Sequence, residues 1–332
     1  MATSRRVSVI GDGGWGTCLA ILLAEQGHRV TLWGAFPDYI TQVQKTHENV
    51  KFLPGVSIPP SVRLTADLQQ ALDGPELAVV AVPSQYLRKV LERCVAAPWK
   101  QMPVVSVVKG IDPETLLRMS ELIRDVVPVR RLAVLSGPSI SYEVARGVPT
   151  TVVAASEDGS LAKEVQTLFT TERFRVYTSA DVIGVELGGA LKNVVAIACG
   201  ASDGLGFGSN TKAALATRGL VEMARLGAAL GAKQETFSGL SGLGDLITTC
   251  FSSHSRNRSV GEQLSKGLPI SEVTRGMEQV AEGVPTAKSG YTLSRRHGVE
   301  MPITAAVYQV LYEGKPPKEA VRDLMLREPK PE

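Results

Sequence analysis

Five runs in the first half of the chain are apolar at most positions: Val7 to Ile10, Arg29 to Trp33, Leu77 to Val82, Val104 to Val108 and Leu132 to Leu135. A strand with one wet face alternates apolar and polar residues. Runs that are apolar on both faces predict strands of a parallel sheet covered by helices. Helical patterns lie between them, so this region reads as an α/β domain. After RFRVYTS, residues 173 to 179, strand signals stop, and Ala/Leu/Gly-rich helical periodicity broken by glycine loops takes over. The pattern predicts an α/β domain with a parallel-rich sheet over residues 1–180 and an all-helical domain over 181–332. The tail EPKPE after Arg327 reads as loose.

The first strand runs directly into GDGGWG, residues 11 to 16, then into the helical TCLAILLAEQG and the second strand. A glycine pattern of this kind is weak alone, but here it occupies the strand-to-helix position that a dinucleotide site requires. Gly11 permits the tight turn, Gly13 lets a pyrophosphate approach the backbone, and Gly16 lets the helix pack closely on the strand. Phosphates would then sit at a helix N-terminus, where free N–H groups favour negative charge. About twenty residues on, where an acid often accepts from the ribose 2′-hydroxyl, the chain has Trp33, Gly34 and Ala35. Nothing there repels a 2′-phosphate and no arginine adjoins to clamp it. The expectation is NAD or NADP, with relaxed choice.

In GGALKNVVAIACG, residues 188 to 200, Lys192 stands where a leucine would pack without cost. On a helix its neighbours three and four positions away are Gly188, Gly189, Val195 and Ala196, all small or apolar. A lysine that snorkels to the surface and a buried, proton-exchanging amine both fit that segment. The strand-end motifs AVPS, VVKG and LSGPS should all face the crevice beyond the carboxyl ends of the sheet. Of their residues, Lys109 ends a buried strand and needs a partner such as a phosphate or carbonyl oxygen. Asp245, in SGLGDLITTC, is a helix N-cap or a partner that would orient Lys192. HSRNRS, residues 254 to 259, packs two guanidinium groups, a hydroxyl and an amide into what reads as one short polar loop suited to phosphate.

Composition narrows the partners. With 332 residues, 44% hydrophobic and 21% charged, and a net charge of +3 without basic blocks, the chain offers no footprint for nucleic acid or an anionic membrane, and a small anionic substrate remains. Cys18, Cys94, Cys199 and Cys250 lie far apart among small or apolar residues, which points to free thiols in a reducing compartment and away from a metal site. The apolar run after the N-terminal arginines is too brief for a signal peptide, and no stretch approaches about 18 uninterrupted apolar residues. A cytoplasmic protein without a membrane span is expected.

Together, GDGGWGTCLA, VVKGID, LSGPSISYEVARG, GVELGGALKNVVAIACGASDGLGFGSN, GLGDLITTC, SRNRS and VAEG closely resemble the bacterial NAD(P)-dependent glycerol-3-phosphate dehydrogenase family, in the family's order from residue 7 to about residue 312. The resemblance implies a Rossmann domain followed by an all-helical domain, with the active site between them. It implies reversible conversion of dihydroxyacetone phosphate to sn-glycerol 3-phosphate for glycerophospholipid synthesis, and a homodimer. By position it implies Lys192 as the catalytic proton acceptor in the oxidative direction, with Lys109 and Asp245 beside the chemistry. Lys109, Gly137, Ser139, Asp245, Ser255, Arg256 and Asn257 match positions that bind substrate. Gly14, Trp15, Ala35, Lys109, Ser141, Arg256, Val280 and Glu282 match positions near the dinucleotide. Three residues depart from the common pattern: Gly14 where serine is frequent, Ala35 for a more polar or basic residue, and Ser141 for alanine. In this setting Gly188 and Gly189 would leave space for substrate beside Lys192. Another β-hydroxyacid dehydrogenase is the nearest rival among enzymes. A dinucleotide-binding redox sensor is the rival from another class, although it has no need of Lys192, Asp245 and the arginine segment together.

Overall fold

The chain divides into a first unit, Met1–Lys109 with Leu117–Val185, and a second, Gly110–Leu116 with Glu186–Glu332; the computed structural model describes residues 4–277 and 279–329. The division falls inside the helix Val182–Gly204 and assigns the segment Gly110–Leu116 to the second unit, which no sequence pattern announces. The last three residues of the EPKPE tail lie outside the described residues.

In the first unit all five apolar runs form strands of one eight-stranded sheet, ordered β3-β2-β1-β4-β5-β6-β7-β8. The strands are β1 (Arg6–Ile10), β2 (Arg29–Trp33), β3 (Arg63–Thr65), β4 (Leu77–Val80), β5 (Val104–Ser106), β6 (Leu132–Ser136), β7 (Thr150–Ala155) and β8 (Phe174–Ser179). Adjacent residues project to opposite faces. Val79 and Val105 therefore join one buried layer with Val9, Leu19 and Leu23, while Ala78, Val80 and Val104 join another with Leu87, Leu91 and Leu122. Because both faces are covered, neither shows a polar alternation. β1 sits between β2 and β4, the point where the strand order reverses and where open α/β sheets form their ligand crevice.

Two strands had no clear sequence signal. β3 has only three residues. β7 runs antiparallel to β6, whereas the pairs from β3 through β6 are parallel. Between β6 and β7 the chain carries only the five-residue helix Ser141–Ala145 and a turn at Gly147, φ 73°. Five residues rise roughly 8 Å as helix, too little to return along a strand of about 17 Å, so the chain re-enters the sheet from the end it left.

The second unit is helical. The helix Val182–Gly204 has the length and hydropathy of a membrane span, but 89% of its apolar window is buried inside the protein, so it is a core helix. It is crossed closely by the helix Arg256–Ser265: a Cβ on Gly200 would run into the Arg258 carbonyl, and one on Gly261 into the Ile197 carbonyl. Val194, Ile197, Val260, Leu264, Val307 and Leu311 fill the core around the crossing. Elsewhere Glu222, on the helix Ser209–Ala229, accepts from Ile303 N at 2.6 Å and from Thr304 N and Oγ1 at 3.1 Å, so a buried carboxylate caps the helix Pro302–Tyr312.

Candidate functional site

In the first unit the turn after β1 is shaped by backbone. Gly11 has φ 121°, and a Cβ there would stand 2.7 Å from the Ala81 carbonyl oxygen just past β4. On Gly16 it would strike the Gly11 carbonyl. These two glycines have reasons internal to the protein. Gly13 has none, since a Cβ there would meet no atom within 4 Å. That open space adjoins the N-terminus of the helix Gly14–Glu25, which has no side-chain cap. Free N–H groups beside an open glycine fit a pyrophosphate.

The other residues expected near the dinucleotide surround this turn unevenly. A Cβ on Gly14 would stand 2.5 Å from the Phe52 carbonyl oxygen and 3.1 Å from Ser141 Oγ, so Ser141 occupies the side of the turn where a larger residue at 14 would project. Trp15 packs against Phe174, ring centroids 6.2 Å apart, and its buried Nε1 has no hydrogen-bond partner among the described residues. Ala35 is exposed past the end of β2. At the ends of β5 and β6, Lys109 Nζ and Ser139 Oγ each donate to the Gly137 carbonyl at 3.0 Å. Gly137 adopts φ 138°, a conformation that glycine reaches without strain. Lys109, Gly137 and Ser139 thus form one cluster, and the partner expected for the strand-end ammonium is a carbonyl of the protein itself.

The second unit contains a different kind of site. Lys192 is 6% exposed, which removes the snorkelling alternative. Its Nζ donates to Asp245 Oδ1 and to Thr249 Oγ1, both at 2.6 Å. Thr249 in turn donates to the Asp245 carbonyl at 2.7 Å, so its hydroxyl oxygen is free to accept from the amine. Asp245 and Thr249 are four apart on the helix Asp245–Phe251 and present one face to Lys192. Asp245 is the first residue of that helix and Gly244 precedes it in the N-cap position, so Asp245 is not the N-cap. Desolvation alone would make an ammonium here costly, and the carboxylate offsets it. The space beside Gly188 is not available to substrate. A Cβ there would stand 2.5 Å from the Ser241 carbonyl oxygen, so this glycine admits the turn that leads into Asp245.

The segment HSRNRS is not a loop. Ser255 caps the helix Arg256–Ser265 by accepting from Arg258 N at 3.3 Å. Of the two guanidinium groups, Arg258 is committed within the fold to Asp203 at 2.6 Å and Glu262 at 2.7 Å. Arg256 remains exposed, with Nη1 donating to the Val280 carbonyl at 2.8 Å. Asn257 is buried: its amide donates to Asn193 Oδ1 at 2.8 Å and accepts from Gly283 N at 2.9 Å, next to Glu282. Asn193 donates to the Gly189 carbonyl at 3.2 Å. One hydrogen-bonded chain therefore links the residue after Lys192 to the segment around Arg256. Thr249 and Asn193 were missed in the sequence; the four-residue spacing from Asp245 and the adjacency to Lys192 were the available signals.

Comparison with known proteins agrees with this architecture. The N-terminal model of the NAD-dependent glycerol-3-phosphate dehydrogenases matches residues 6–162 and the C-terminal model residues 181–322. The chain is 50% identical to the NAD(P)+-dependent glycerol-3-phosphate dehydrogenase of Geobacter sp. (strain M21), covering 99% of each chain. It is 49% identical to that of Bacillus pumilus, over 97% of this chain and 94% of the relative. A crystal structure of glycerol-3-phosphate dehydrogenase from Coxiella burnetii matches with TM-score 0.94 at 37% identity, covering 98% of this chain and 99% of the other.

Proposed function

The chain belongs to the NAD-dependent glycerol-3-phosphate dehydrogenase family, and we propose that it interconverts dihydroxyacetone phosphate and sn-glycerol 3-phosphate with NAD(H) or NADP(H), feeding glycerophospholipid synthesis. The observation that carries the reading is the buried Lys192 amine held by Asp245 and Thr249.

A dinucleotide held by the glycine turn would supply hydride chemistry at C2 in either direction. The oxygen at C2 becomes an alkoxide and needs a proton. Lys192 Nζ donates it, a strongly favourable transfer because an alkoxide is a far stronger base than an amine. In the oxidative direction the neutral amine takes the proton back. Asp245 holds the amine in place and offsets its charge, while Thr249 accepts from whichever form is present. Arg256 with Asn257 grips the substrate phosphate, so that binding energy from the non-reacting end aligns C2. Lys109, Gly137 and Ser139 contribute further polar contacts to substrate, and Lys109 also lies toward the dinucleotide. Gly11, Gly13, Gly14, Trp15 and Gly16 hold the pyrophosphate end, with Ala35 and Ser141 also toward the dinucleotide; by the family resemblance Val280 and Glu282 serve the same cofactor.

We assign the enzyme to the cytoplasm as a homodimer. The four buried, unpaired thiols support a reducing compartment. The exposed Leu243, Ile247 and Phe251 support a covered surface on the helical unit. The test is a spectrophotometric assay of NADH and NADPH oxidation with purified protein. Turnover is expected with dihydroxyacetone phosphate and not with 2- or 3-oxo acids; preference for an oxo acid would transfer the chain to the hydroxyacid dehydrogenases.

A further inference from the structure

We infer that Asp12, within the glycine turn itself, is the acid that reads the adenosine ribose, and that it makes this enzyme select NAD(H) over NADP(H). The inference rests on the dinucleotide reading above and deepens it. In open α/β sheets the ribose-reading acid commonly stands at the end of β2, accepting from the 2′-hydroxyl. Here that position offers no acceptor side chain: Trp33 is buried with Nε1 donating to Ala66 O, and Gly34 and Ala35 follow. The sequence alone therefore suggested relaxed choice.

The structure brings an acid to the same place by another route. Gly11 N donates to the Trp33 carbonyl at 3.0 Å, which ties the turn to the end of β2. The next residue, Asp12, turns its carboxylate into the space that a side chain at Gly34 would fill, with Asp12 Cγ 2.6 Å from where a Cβ on Gly34 would stand. The bare glycine past β2 is what admits it.

Asp12 is also held rather than merely nearby. Its carbonyl accepts from Asn49 Nδ2 at 2.7 Å and Thr17 Oγ1 at 3.1 Å, and Asn49 is fixed in turn by Tyr39 Oη at 2.6 Å. Asp12 is only 9% exposed, and Oδ2 has no hydrogen-bond partner among the described residues. A buried carboxylate oxygen without a donor is an acceptor awaiting one, and a ribose hydroxyl supplies it. A 2′-phosphate would instead bring about two negative charges against this carboxylate. Burial raises the Asp12 carboxyl to about 6, opposed first by a hydrogen bond from its own backbone N–H and then by the nearby Lys51 ammonium, so it is mostly ionised at pH 8. Lys51 is exposed, lies over the Phe52 ring, and is screened by solvent.

The test is direct binding of NADH and NADPH to the full-length protein at pH 8, by calorimetry without substrate. NADH should bind at least about 10-fold more tightly, since close like charges are strongly discriminating. Asp12→Asn should weaken NADH, tighten NADPH and shrink the ratio of the two Kd values about 10-fold; Asp12→Gly should shrink it as well, which covers failure of either variant to fold. Equal binding by the unaltered protein, or a ratio unchanged in both variants, would overturn the role of Asp12. Binding of neither dinucleotide would overturn the cofactor assignment itself, and this inference with it.

Discussion

The glycine turn of the first unit and the lysine centre of the second recognise charge by opposite means. Around Gly11, Gly13 and Gly16 the work is done by backbone: side chains are absent so that a carbonyl and a helix can approach, and Gly13 leaves open the space proposed for the pyrophosphate. Around Lys192 it is done by side chains from two helices, and the charge they hold is buried within the fold. A backbone cradle is contiguous in sequence and forms once a strand and a helix are in register. A side-chain centre exists only after Lys192 and Asp245, 53 residues apart, have been packed together. The first should tolerate change outside its few glycines, whereas the second should fail whenever either partner is lost.

The sharpest way to separate the two is Lys192→Ala. If Lys192 is the proton donor, kcat should fall by roughly 10²–10⁴-fold, the usual range for a positioned acid or base. NADH affinity, belonging to the other region, should stay nearly constant in the same calorimetric titration. Near-normal turnover would remove Lys192 from the chemistry.

Asp245→Asn attacks the same centre through its packing. Removing one member of a buried ion pair leaves the other uncompensated, at a cost of roughly 3–5 kcal/mol. A lower melting temperature together with reduced kcat is expected, and a melting temperature equal to the parent's would mean that the pair is not what holds the helices at this point. Arg256→Ala should act more narrowly. Its effect should appear as weaker binding of dihydroxyacetone phosphate, with much less change for unphosphorylated dihydroxyacetone; equal losses on both would contradict a phosphate grip.

These differences also explain what was legible in the sequence. The strands from β1 to β6, except the three-residue β3, could be read because burial on both faces leaves long apolar runs. The turn could be read because its requirements are local. Lys192 was visible as an anomaly, one charge in an apolar helix, but its partner Thr249 was not, because a threonine inside LITTC looks like any other helix residue. HSRNRS reads as a loop although it opens a helix, because Ser255 as a helix cap and Ser255 as a solvated hydroxyl have the same letters. Asp12 carries no such signal in the sequence, because only the fold brings a residue of the turn against Gly34 at the end of β2.

The smallest effect expected contrasts two buried carboxylates, one in each unit. Asp12 Oδ2 lacks a donor among the described residues, while Glu222 has three, yet burial raises Glu222 as well, from 4.5 to about 7, against the opposing pull of its backbone donors, the Thr304 hydroxyl and Arg225. Because the folded state then holds the proton more tightly than the unfolded chain, stability should fall as pH rises from about 4.5 to about 7 and stay reduced above that. At roughly 1.4 kcal/mol per unit, the loss is about 3 kcal/mol at most. Glu222→Gln keeps an acceptor for the Ile303 and Thr304 amides and removes the charge. Urea unfolding of this variant should therefore flatten with pH in that window, and the variant should exceed the parent in stability at pH 8 while falling near or below it at pH 5. An unchanged slope would mean that Glu222 stays ionised throughout, with its three donors outweighing desolvation.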